Sequence, residues 1–365
     1  MSNNSFYTII MAGGVGSRFW PISREHSPKQ FHDILGRGKS MIQETVERFE
    51  GICPPENIYV VTHKKYVGKV KEHLPFLSDE QILAEPSRRN TAPCIAYACY
   101  KIAQKDPDAV TVITPADHVI QDVERFRKAI RTAVKHAHKK EILVTLGIKP
   151  NRPDTGYGYI QYRQGSKLFQ KFKPYPLLPV KTFTEKPNLE LAKKFIESGD
   201  FVWNAGIFIW HVETIKKAFQ RYAPEMAEVF EEIEEQFFTE TEAEAIHQAY
   251  PLCKKISIDY AIMEKADNVY VIPVDCGWSD LGTWKSLYEL APKDDNQNVI
   301  QGTVLAYDSQ KCIVKTPKEQ LVVIQGLEGF IVAEHEGVLL ICRQDQEQRV
   351  KEFVAEAKKI DKRFT

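Results

Sequence analysis

A glycine-rich loop that follows a buried strand constrains this chain more than any other feature of its sequence. The apolar run from Phe6 to Ala12 is rich in β-branched and aromatic residues, which predicts a buried strand. The loop after it, GGVGSRFWPISREHSPKQF, runs from Gly13 to Phe31. Glycines at the carboxyl end of a strand present bare backbone N–H groups, and phosphates are commonly bound there. The sequence therefore predicts an α/β fold with a phosphate-binding loop after its first strand.

Two familiar glycine motifs do not explain this loop. A Walker loop needs Gly-Lys followed by Ser or Thr, and this stretch lacks it. A dinucleotide-binding fingerprint opens directly into a helix, whereas two prolines in the segment prevent a long regular helix. The loop instead carries Arg18, Arg24 and Lys29. Backbone donors together with three cations predict a clamp for a polyphosphate whose charge grows during reaction.

The composition is that of an ordinary globular protein. The 365 residues are 43% hydrophobic and 27% charged, and Lys+Arg equals Asp+Glu at 49 each. This balance gives no electrostatic reason to expect a nucleic acid or a membrane surface as partner, and no apolar run is long enough for a membrane span. Seven scattered cysteines without a CxxC motif, and no secretory signal at the N-terminus, predict a cytoplasmic protein. The ten histidines show no zinc-ligand spacing.

Strands alternate with helices over the first part of the chain, which predicts a Rossmann-like, three-layer α/β domain with a mostly parallel sheet. The acidic segment Ala223–Tyr250 is interpreted as a solvated helical face, and Ile256–Lys265 as a helix. A polar segment that begins at Pro292 predicts a domain boundary, giving domains 1–291 and 292–365. The second is predicted to be a small β domain closed by a helix; its strands are Ile300–Ala306, Cys312–Lys315, Leu321–Ile324, Gly329–Glu334 and Val338–Cys342.

The pattern G-G-x-G-x-R followed by P-K-Q resembles the sugar-phosphate nucleotidyltransferases, and FWPISR with SPKQF is similar to the mannose-1-phosphate guanylyltransferases. The resemblance extends from Ile9 to the terminal helix, with Phe19 and Ile22 standing where Leu is common. It implies a Mg²⁺-dependent enzyme that joins GTP and α-D-mannose 1-phosphate into GDP-mannose and pyrophosphate. Longer relatives append an isomerase domain, so guanylyltransferase activity alone is expected of this chain.

Two aspartates are candidate metal ligands. Asp117 follows an apolar strand, and Asp280 lies in the aromatic and glycine-containing loop W-S-D-L-G-T-W. Either alone is equally well explained as a cap or turn residue, but beside a phosphate loop both suit magnesium, which is held by one or two carboxylates and substrate phosphates. The resemblance implies that both bind the metal and that Arg18, Lys29 and Asp117 are catalytic. It assigns Arg18 to the departing phosphates and Lys29 to the triphosphate and the attacking sugar phosphate.

The remaining site residues are also implied by the resemblance. Taken alone, the sugar-site motifs are more readily explained as turns, caps or strand glycines. The E-P-S-R-R-N-T-A-P segment from Glu85 to Pro93 resembles the guanine-reading segment of the family. The implied nucleotide-binding residues are Ala12, Gly13, Gly14, Gly16, Ser17, Arg18, Lys29, Glu85, Asn90, Ala92, Pro115 and Asp117. The implied sugar-phosphate residues are Gly156, Tyr157, Glu185, Lys186 and Asn204.

Two other functions remain compatible with the sequence. One is a guanylyltransferase for another hexose or heptose 1-phosphate, and the other is a catalytically silent, nucleotide-sugar-sensing regulatory subunit. The terminal β domain resembles a short left-handed β-helix, for which we expect a role in assembly, with a homodimer as the candidate state.

Overall fold

The computed structural model describes residues 6–163 and 175–365, which form two compact units. The first, which we call the sheet unit, comprises the described parts of Met1–Gly13, Val46–Ala116 and Ile120–Trp278. The second, the C-terminal unit, comprises Gly14–Thr45, Asp117–Val119 and Ser279–Thr365. The chain therefore passes from one unit to the other directly after Gly13 and again after Ala116. The predicted domain boundary at 291 stays a prediction.

The sheet unit is built on a nine-stranded sheet. Its strands are β1 (Phe6–Met11), β2 (Ile58–His63), β3 (Ile82–Glu85), β4 (Val110–Pro115), β5 (Leu143–Ile148), β6 (Gly158–Tyr162), β7 (Leu178–Glu185), β8 (Phe201–His211) and β9 (Val269–Pro273). They lie in the order β3-β2-β1-β4-β8-β5-β9-β7-β6. The ladders among β3, β2, β1 and β4 are parallel, as is the β5–β9 ladder, and β8 is antiparallel to both of its neighbours. The carboxyl ends of the first four strands thus share one edge.

The helices of the sheet unit are fixed by their apolar faces. The helices of the described chain are α1 (Met41–Glu47), α2 (Val67–His73), α3 (Thr91–Lys105), α4 (Val123–Ala137), α5 (Leu189–Ser198), α6 (Val212–Tyr222), α7 (Pro224–Glu231), α8 (Glu242–Ala249), α9 (Trp284–Leu290) and α10 (Val350–Ile360), with a π-helical turn at Asp259–Met263. α4 buries Phe126, Ala129, Ile130 and Ala133 at helical spacing, so one stripe packs against β4, β5 and β8. α3 is apolar on nearly all sides and packs between β1–β3 and the helices α6 and α7. No helix in the described residues is long and apolar enough to cross a membrane.

The acidic segment Ala223–Tyr250 is not a solvated face throughout, and that expectation was wrong for its apolar positions. Phe230 and Tyr250 are fully buried, and the ring of Phe230 stacks on Tyr100 with centroids 5.8 Å apart. Met226 and Phe230 are about one helical turn apart, so they place one stripe of this segment against α3. The abundance of glutamate concealed an amphipathic helix.

The C-terminal unit stacks short strands in two sheets. The strands are β10 (Val299–Gln301), β11 (Thr303–Tyr307), β12 (Ile313–Lys315), β13 (Leu321–Gln325), β14 (Phe330–His335) and β15 (Val338–Arg343). They are ordered β10-β12-β14-β15 and β11-β13. All pairs are parallel except β14–β15, as expected when successive turns of a β-helix lie above one another. The predicted single strand over residues 300–306 was wrong, because Gly302 has a φ of +139° and a Cβ there would lie 2.8 Å from the main-chain oxygen of Thr316.

The end of the chain packs on the glycine-rich loop within the same unit. Helix α10 contacts the short 3₁₀ turn Ser17–Phe19, and Phe19 packs on Trp284 with ring centroids 5.2 Å apart. The indole N–H of Trp20 donates to the main-chain oxygen of Phe364 at 2.7 Å. The phosphate-loop candidate is therefore supported by the terminal helix and by the core of this unit.

Candidate active site

The backbone of the glycine-rich loop keeps its donors available and uses its acceptors. The main-chain oxygens of Gly14 and Val15 accept hydrogen bonds from the side chain of Gln30 (3.1 Å) and the N–H of Lys29 (3.0 Å). Over the residues that the structure describes, the N–H groups of Gly14, Val15 and Gly16 have no acceptor. A run of unpaired N–H groups with satisfied carbonyls is suited to bind an anion.

Gly16 is required by both its conformation and its neighbour. Its φ of +73° lies in the left-handed region, and a Cβ at this position would stand 2.5 Å from the Cβ of Lys29. Lys29 begins a 3₁₀ turn that ends at Phe31, and this turn is buried. Glycine at position 16 therefore lets the lysine pass directly behind the loop.

The ammonium of Lys29 joins the two acidic segments of the C-terminal unit. Its Nζ donates to Asp117 Oδ2 (3.1 Å), to the main-chain oxygen of Asp117 (3.1 Å) and to the main-chain oxygen of Asp280 (3.0 Å). Its side chain is 3% exposed. Burial by itself would raise the pKa of Asp117, but the charge of Lys29, with a contribution from His118, outweighs burial and lowers that pKa below its ordinary value. Asp117 is therefore held as a carboxylate.

A short β-bridge sets Asp117 and Asp280 on adjacent chain segments. Val119 and Ser279 exchange backbone hydrogen bonds of 2.8 and 3.0 Å. The Asp280 carboxylate lies over the backbone of Gly282, whose N–H donates to Oδ1 at 3.2 Å and whose Cβ, if present, would be 2.6 Å from Oδ2. Within 6–163 and 175–365, no group of three or more His, Cys, Asp or Glu residues is arranged to hold a metal by protein ligands alone. Two carboxylates nevertheless suit a magnesium ion that draws its other ligands from phosphate and water.

The two arginines of the loop differ sharply. Arg18 is exposed, and in the described structure its guanidinium has no hydrogen-bond or ion-pair partner. Arg24 is buried, and it donates to the main-chain oxygens of Pro21 (3.0 Å), Arg363 (3.2 Å) and His335. The expectation that Arg24 belongs to the phosphate clamp was therefore wrong, since its donors hold the terminal segments in place.

In the sheet unit, Glu85 ends β3 as a buried carboxyl group. The hydroxyl of Tyr250 donates to its Oε1, and a Cβ on Gly13 would stand 3.2 Å from its Oε2. Burial raises the pKa of Glu85 from 4.5 to about 7, and the hydrogen bond from Tyr250 and the charge of Arg88 offset this only in part. Tyr250 is a neighbour that sequence reasoning missed, because the acidic residues around it suggested a solvated helix.

The other nucleotide-site candidates of the sheet unit lie at strand and helix ends. Ala12 follows β1, and Pro115 ends β4 opposite Met11 of β1. Asn90 caps α3: its side chain accepts from the N–H of Thr91 at 2.8 Å, with a φ of +69° at Asn90. The remaining candidate, Ala92, is buried in the first turn of that helix.

Three of the sugar-phosphate candidates lie together in the sheet unit. Gly158 pairs with Glu185 across β6 and β7, and a Cβ on Gly158 would stand 2.5 Å from Glu185 Oε2 and 3.4 Å from the Cβ of Asn204. The next residue, Lys186, has a φ of +49° and pairs its Nζ with Glu185 Oε1. Glu185, Lys186 and Asn204 thus surround a glycine that leaves room for them.

The two remaining candidates precede β6. Gly156 donates its N–H to Asp154 Oδ1 at 2.8 Å, which shapes a turn. The ring of Tyr157 meets Trp203 edge-on at 4.9 Å and Trp278 at 5.3 Å. These three rings pack on one another.

The structure adds Asp259, which sequence reasoning did not single out. Its Oδ1 accepts a hydrogen bond from Asn204 Nδ2 at 2.9 Å. Burial, and to a lesser extent the charge of Glu185, raise the pKa of Asp259 from 3.8 to about 6. No motif signals this residue, since an aspartate that opens a helical segment is most simply explained as a cap.

Comparisons with known proteins show which family this chain resembles in sequence and in fold. The family profile "Nucleotidyl transferase" matches residues 7–297, and the profile "MannoseP isomerase/GMP-like beta-helix domain" matches residues 302–356. A mannose-1-phosphate guanylyltransferase of Escherichia coli is 35% identical over 95% of this chain and 74% of its own length. The alginate biosynthesis protein AlgA of Pseudomonas putida is 36% identical over 95% of this chain and 70% of its own length. A solved structure named mannose-1-phosphate geranyltransferase, from Thermus thermophilus, has a TM-score of 0.86 at 30% identity and covers 97% of this chain and 100% of that one.

Proposed function

The chain belongs to the mannose-1-phosphate guanylyltransferase family of nucleotidyl transferases, and from this membership we propose its reaction and the roles of its residues. It transfers GMP from GTP to α-D-mannose 1-phosphate, giving GDP-mannose and pyrophosphate. The observation that carries the proposal is the loop at Gly14–Gly16, whose unpaired N–H groups lie in the same unit as the Lys29–Asp117 pair.

The phosphate chemistry falls to the C-terminal unit. An oxygen of the sugar phosphate attacks the α-phosphorus of GTP in line, and the bond to the β-phosphate oxygen breaks to release pyrophosphate. The loop N–H groups and Arg18 bind the β- and γ-phosphates, which carry the departing charge. Lys29 donates its three hydrogens to Asp117 and Asp280, so it supplies a fixed positive charge and holds both acidic segments in register. Positioning and charge account for the catalysis, without a covalent intermediate.

Asp117 and Asp280 are the residues proposed to hold magnesium. Asp117 is ionised because Lys29 lowers its pKa, and hard carboxylate oxygens are the ligands that this ion prefers. When bound, the ion neutralises charge on the phosphates. The donor set therefore fits the cation, with substrate phosphates and water as its further ligands.

Recognition of the base and the sugar falls to the sheet unit. Guanine presents N–H donors on its Watson–Crick edge, and a carboxylate such as Glu85 accepts from them where adenine offers no matching pair. Glu185 and Asn204 supply an acceptor and a donor for sugar hydroxyls, and Lys186 pairs with the monophosphate. By resemblance to the family, Asn90 and Ala92 at the start of α3 are also proposed to lie beside the base.

A homodimer and a cytoplasmic location are part of the proposal. The sheet β11–β13 exposes an apolar row in register, with Leu305 opposite Val323, at 45% and 56% exposure. A second copy of the chain would cover this row, and the molar mass in solution from light scattering tests it. The seven cysteines are buried free thiols, which supports a reducing compartment. The absence of nucleic-acid and membrane partners stays a prediction.

A pyrophosphate-release assay tests the function directly. The protein is supplied with each of GTP, ATP, CTP and UTP against mannose, glucose and heptose 1-phosphates, with and without magnesium. We expect turnover with GTP and mannose 1-phosphate in the presence of magnesium. Turnover with another sugar alone would replace the assigned substrate, and no turnover with any pair would favour a silent sensor.

A further inference from the structure

Asn204 is held in one orientation by its surroundings. Its amide oxygen accepts from the N–H of Gly206 at 3.1 Å. The hydroxyl of Thr145 lies 3.2 Å from the same oxygen and shares its one hydrogen with the main-chain oxygen of Ile207 at 3.1 Å. The amide nitrogen must therefore face the other way, where one of its hydrogens goes to Asp259 Oδ1 at 2.9 Å. The register between β5 and β8 shifts at this point, which sets Asn204 apart from the regular ladder. One hydrogen of the amide remains for a ligand.

Asp259 is a carboxylate with little to satisfy it. In the described part of the protein, the one hydrogen bond that another residue gives its side chain comes from Asn204. The nearest charges are Glu185, which repels it, and Lys186, whose ammonium is paired with Glu185. A half-buried carboxylate in this situation is costly to keep unless something else donates to it. A capping role does not account for Asp259, because the cap position of this helical turn is Ile258 and no side chain bonds to the first turn.

We propose that Asp259 determines sugar specificity: its second oxygen accepts a hydrogen bond from one hydroxyl of the hexose, which in turn accepts from the remaining hydrogen of Asn204. This inference rests on the proposed function, and it concerns the sugar half of that reaction. A hydroxyl can donate and accept at once, so the Asn204–Asp259 pair is suited to recognise a hydroxyl group, which satisfies both residues. An analogue that lacks the donor leaves the second oxygen of Asp259 without a partner in the bound state, and a site built to hydrogen-bond a hydroxyl rejects such an analogue strongly.

Fluorinated sugars separate this role from general packing. A fluorine in place of a hydroxyl keeps the size and polarity of the group but removes the donor. We expect the wild-type kcat/KM to fall by roughly 100-fold for one of the 2-, 3-, 4- and 6-fluoro analogues of mannose 1-phosphate, because the donor to Asp259 is lost. The Asp259→Asn variant keeps an oxygen for Asn204 and replaces the second acceptor by a donor.

The expected result for Asp259→Asn is a pattern across the four analogues. Its kcat/KM for the parent sugar falls by roughly 100-fold, while the penalty for the one sensitive analogue shrinks to within about threefold. The KM for GTP stays within about twofold of the wild-type value. The exposed Asp267→Asn, which lies just beyond the same helical turn, is the matched control and should behave as the wild type.

A second variant reaches the same contact from the other side. Thr145→Val removes the hydroxyl that lies against the Asn204 amide oxygen, so it should weaken discrimination at the same sugar position and at no other. The inference is overturned if Asp259→Asn retains the penalty at that position, or if it depresses all analogues and GTP alike with a lowered thermal midpoint. Wild-type protein that turns over no mannose 1-phosphate would remove the proposed function and this inference together, whereas turnover with unchanged discrimination removes the inference alone.

Discussion

Each compact unit contains one lysine–carboxylate pair proposed for substrate binding, and the lysines of the two pairs differ in burial and in the number of acceptors. Lys29, paired with Asp117, is 3% exposed and donates to three oxygens of the C-terminal unit. Lys186, paired with Glu185 in the sheet unit, is 60% exposed and has that carboxylate as its acceptor in the described structure. Lys29 is therefore part of the packed interior of its unit, whereas Lys186 lies at the surface of its unit.

This difference in burial gives the two lysines different tasks. An ammonium with three fixed acceptors has no rotational freedom, so Lys29 acts through its charge and through the segments that it joins. An exposed ammonium on a flexible stem can turn to a ligand at little cost. Partial burial would lower the pKa of Lys186, but the hydrogen bond to Glu185 outweighs this effect and raises that pKa. The ammonium of Lys186 therefore stays charged. The comparison predicts large effects on the rate from the pair with the buried lysine and modest effects on substrate binding from the pair with the exposed lysine.

Asp117→Asn breaks the pair that contains the buried lysine and should have the largest effect. Loss of the carboxylate charge weakens the proposed magnesium site, and we expect kcat/KM to fall by roughly 10³-fold, about 4 kcal/mol of transition-state stabilisation. Lys29 keeps its two main-chain acceptors, so the thermal midpoint should fall by no more than about 3 °C. Pyrophosphate release as a function of magnesium concentration measures the first effect, and calorimetry the second.

The control for this variant is Asp295→Asn, an exposed aspartate in the same unit. It should retain the wild-type rate and the wild-type magnesium dependence. Near-normal turnover of Asp117→Asn at low magnesium would take Asp117 out of the metal site and leave Lys29 with a purely structural partner.

Glu85 sharpens the comparison because it is a buried carboxyl group with no lysine. Its pKa is raised from 4.5 to about 7, so the folded state binds its proton more tightly than the unfolded state does. The stability that this proton confers is complete below pH 4.5 and is lost as the pH rises to about 7, at a cost of up to about 3 kcal/mol. Asp117 shows the opposite sign, since Lys29 lowers its pKa.

Glu85→Gln should therefore flatten the decline in stability between pH 5 and pH 7.5. Urea unfolding at several pH values should show the variant gaining on the wild type by up to about 3 kcal/mol as the pH rises, because glutamine carries no charge to bury. Glu80→Gln, an exposed change just before the same strand, is expected to follow the wild type at every pH. Parallel curves for Glu85→Gln and the wild type would mean that the carboxyl group is charged and compensated throughout.

The sequence predicted the elements that local pattern controls. Alternation of apolar strands with helices predicted the α/β class, the apolar run from Phe6 to Ala12 located β1, and the loop from Gly13 to Phe31 was recognised by its residue types. The approach of Asp117 and Asp280 to Lys29 was inferred from motifs, and the structure shows all three in one unit. The roles of these residues stay predictions.

What the sequence could not predict depends on partners far away in the chain. Nothing local shows that β8 inserts antiparallel between β4 and β5, because strand direction is decided by long-range pairing. Arg24 carries the same charge as Arg18, and only the fold reveals that it meets the carbonyls of His335 and Arg363. Asp259 likewise became a site candidate only through its hydrogen bond with Asn204, which is distant in the sequence. Residue type predicts a chemical capacity, whereas the contacts decide whether that capacity is already used.

Lys186→Ala tests the exposed member of the comparison and should have the smallest effect. The ammonium lies in solvent, where its attraction to a sugar phosphate is screened, so we expect the KM for mannose 1-phosphate to rise about fivefold to tenfold with kcat nearly unchanged. The difference from the wild type should shrink as salt is added, and Lys193→Ala, an exposed lysine on α5, should show neither change. A rise in the KM for GTP alone would assign Lys186 to the nucleotide. A fall in kcat as large as that of Asp117→Asn would mean that exposure does not separate the two pairs.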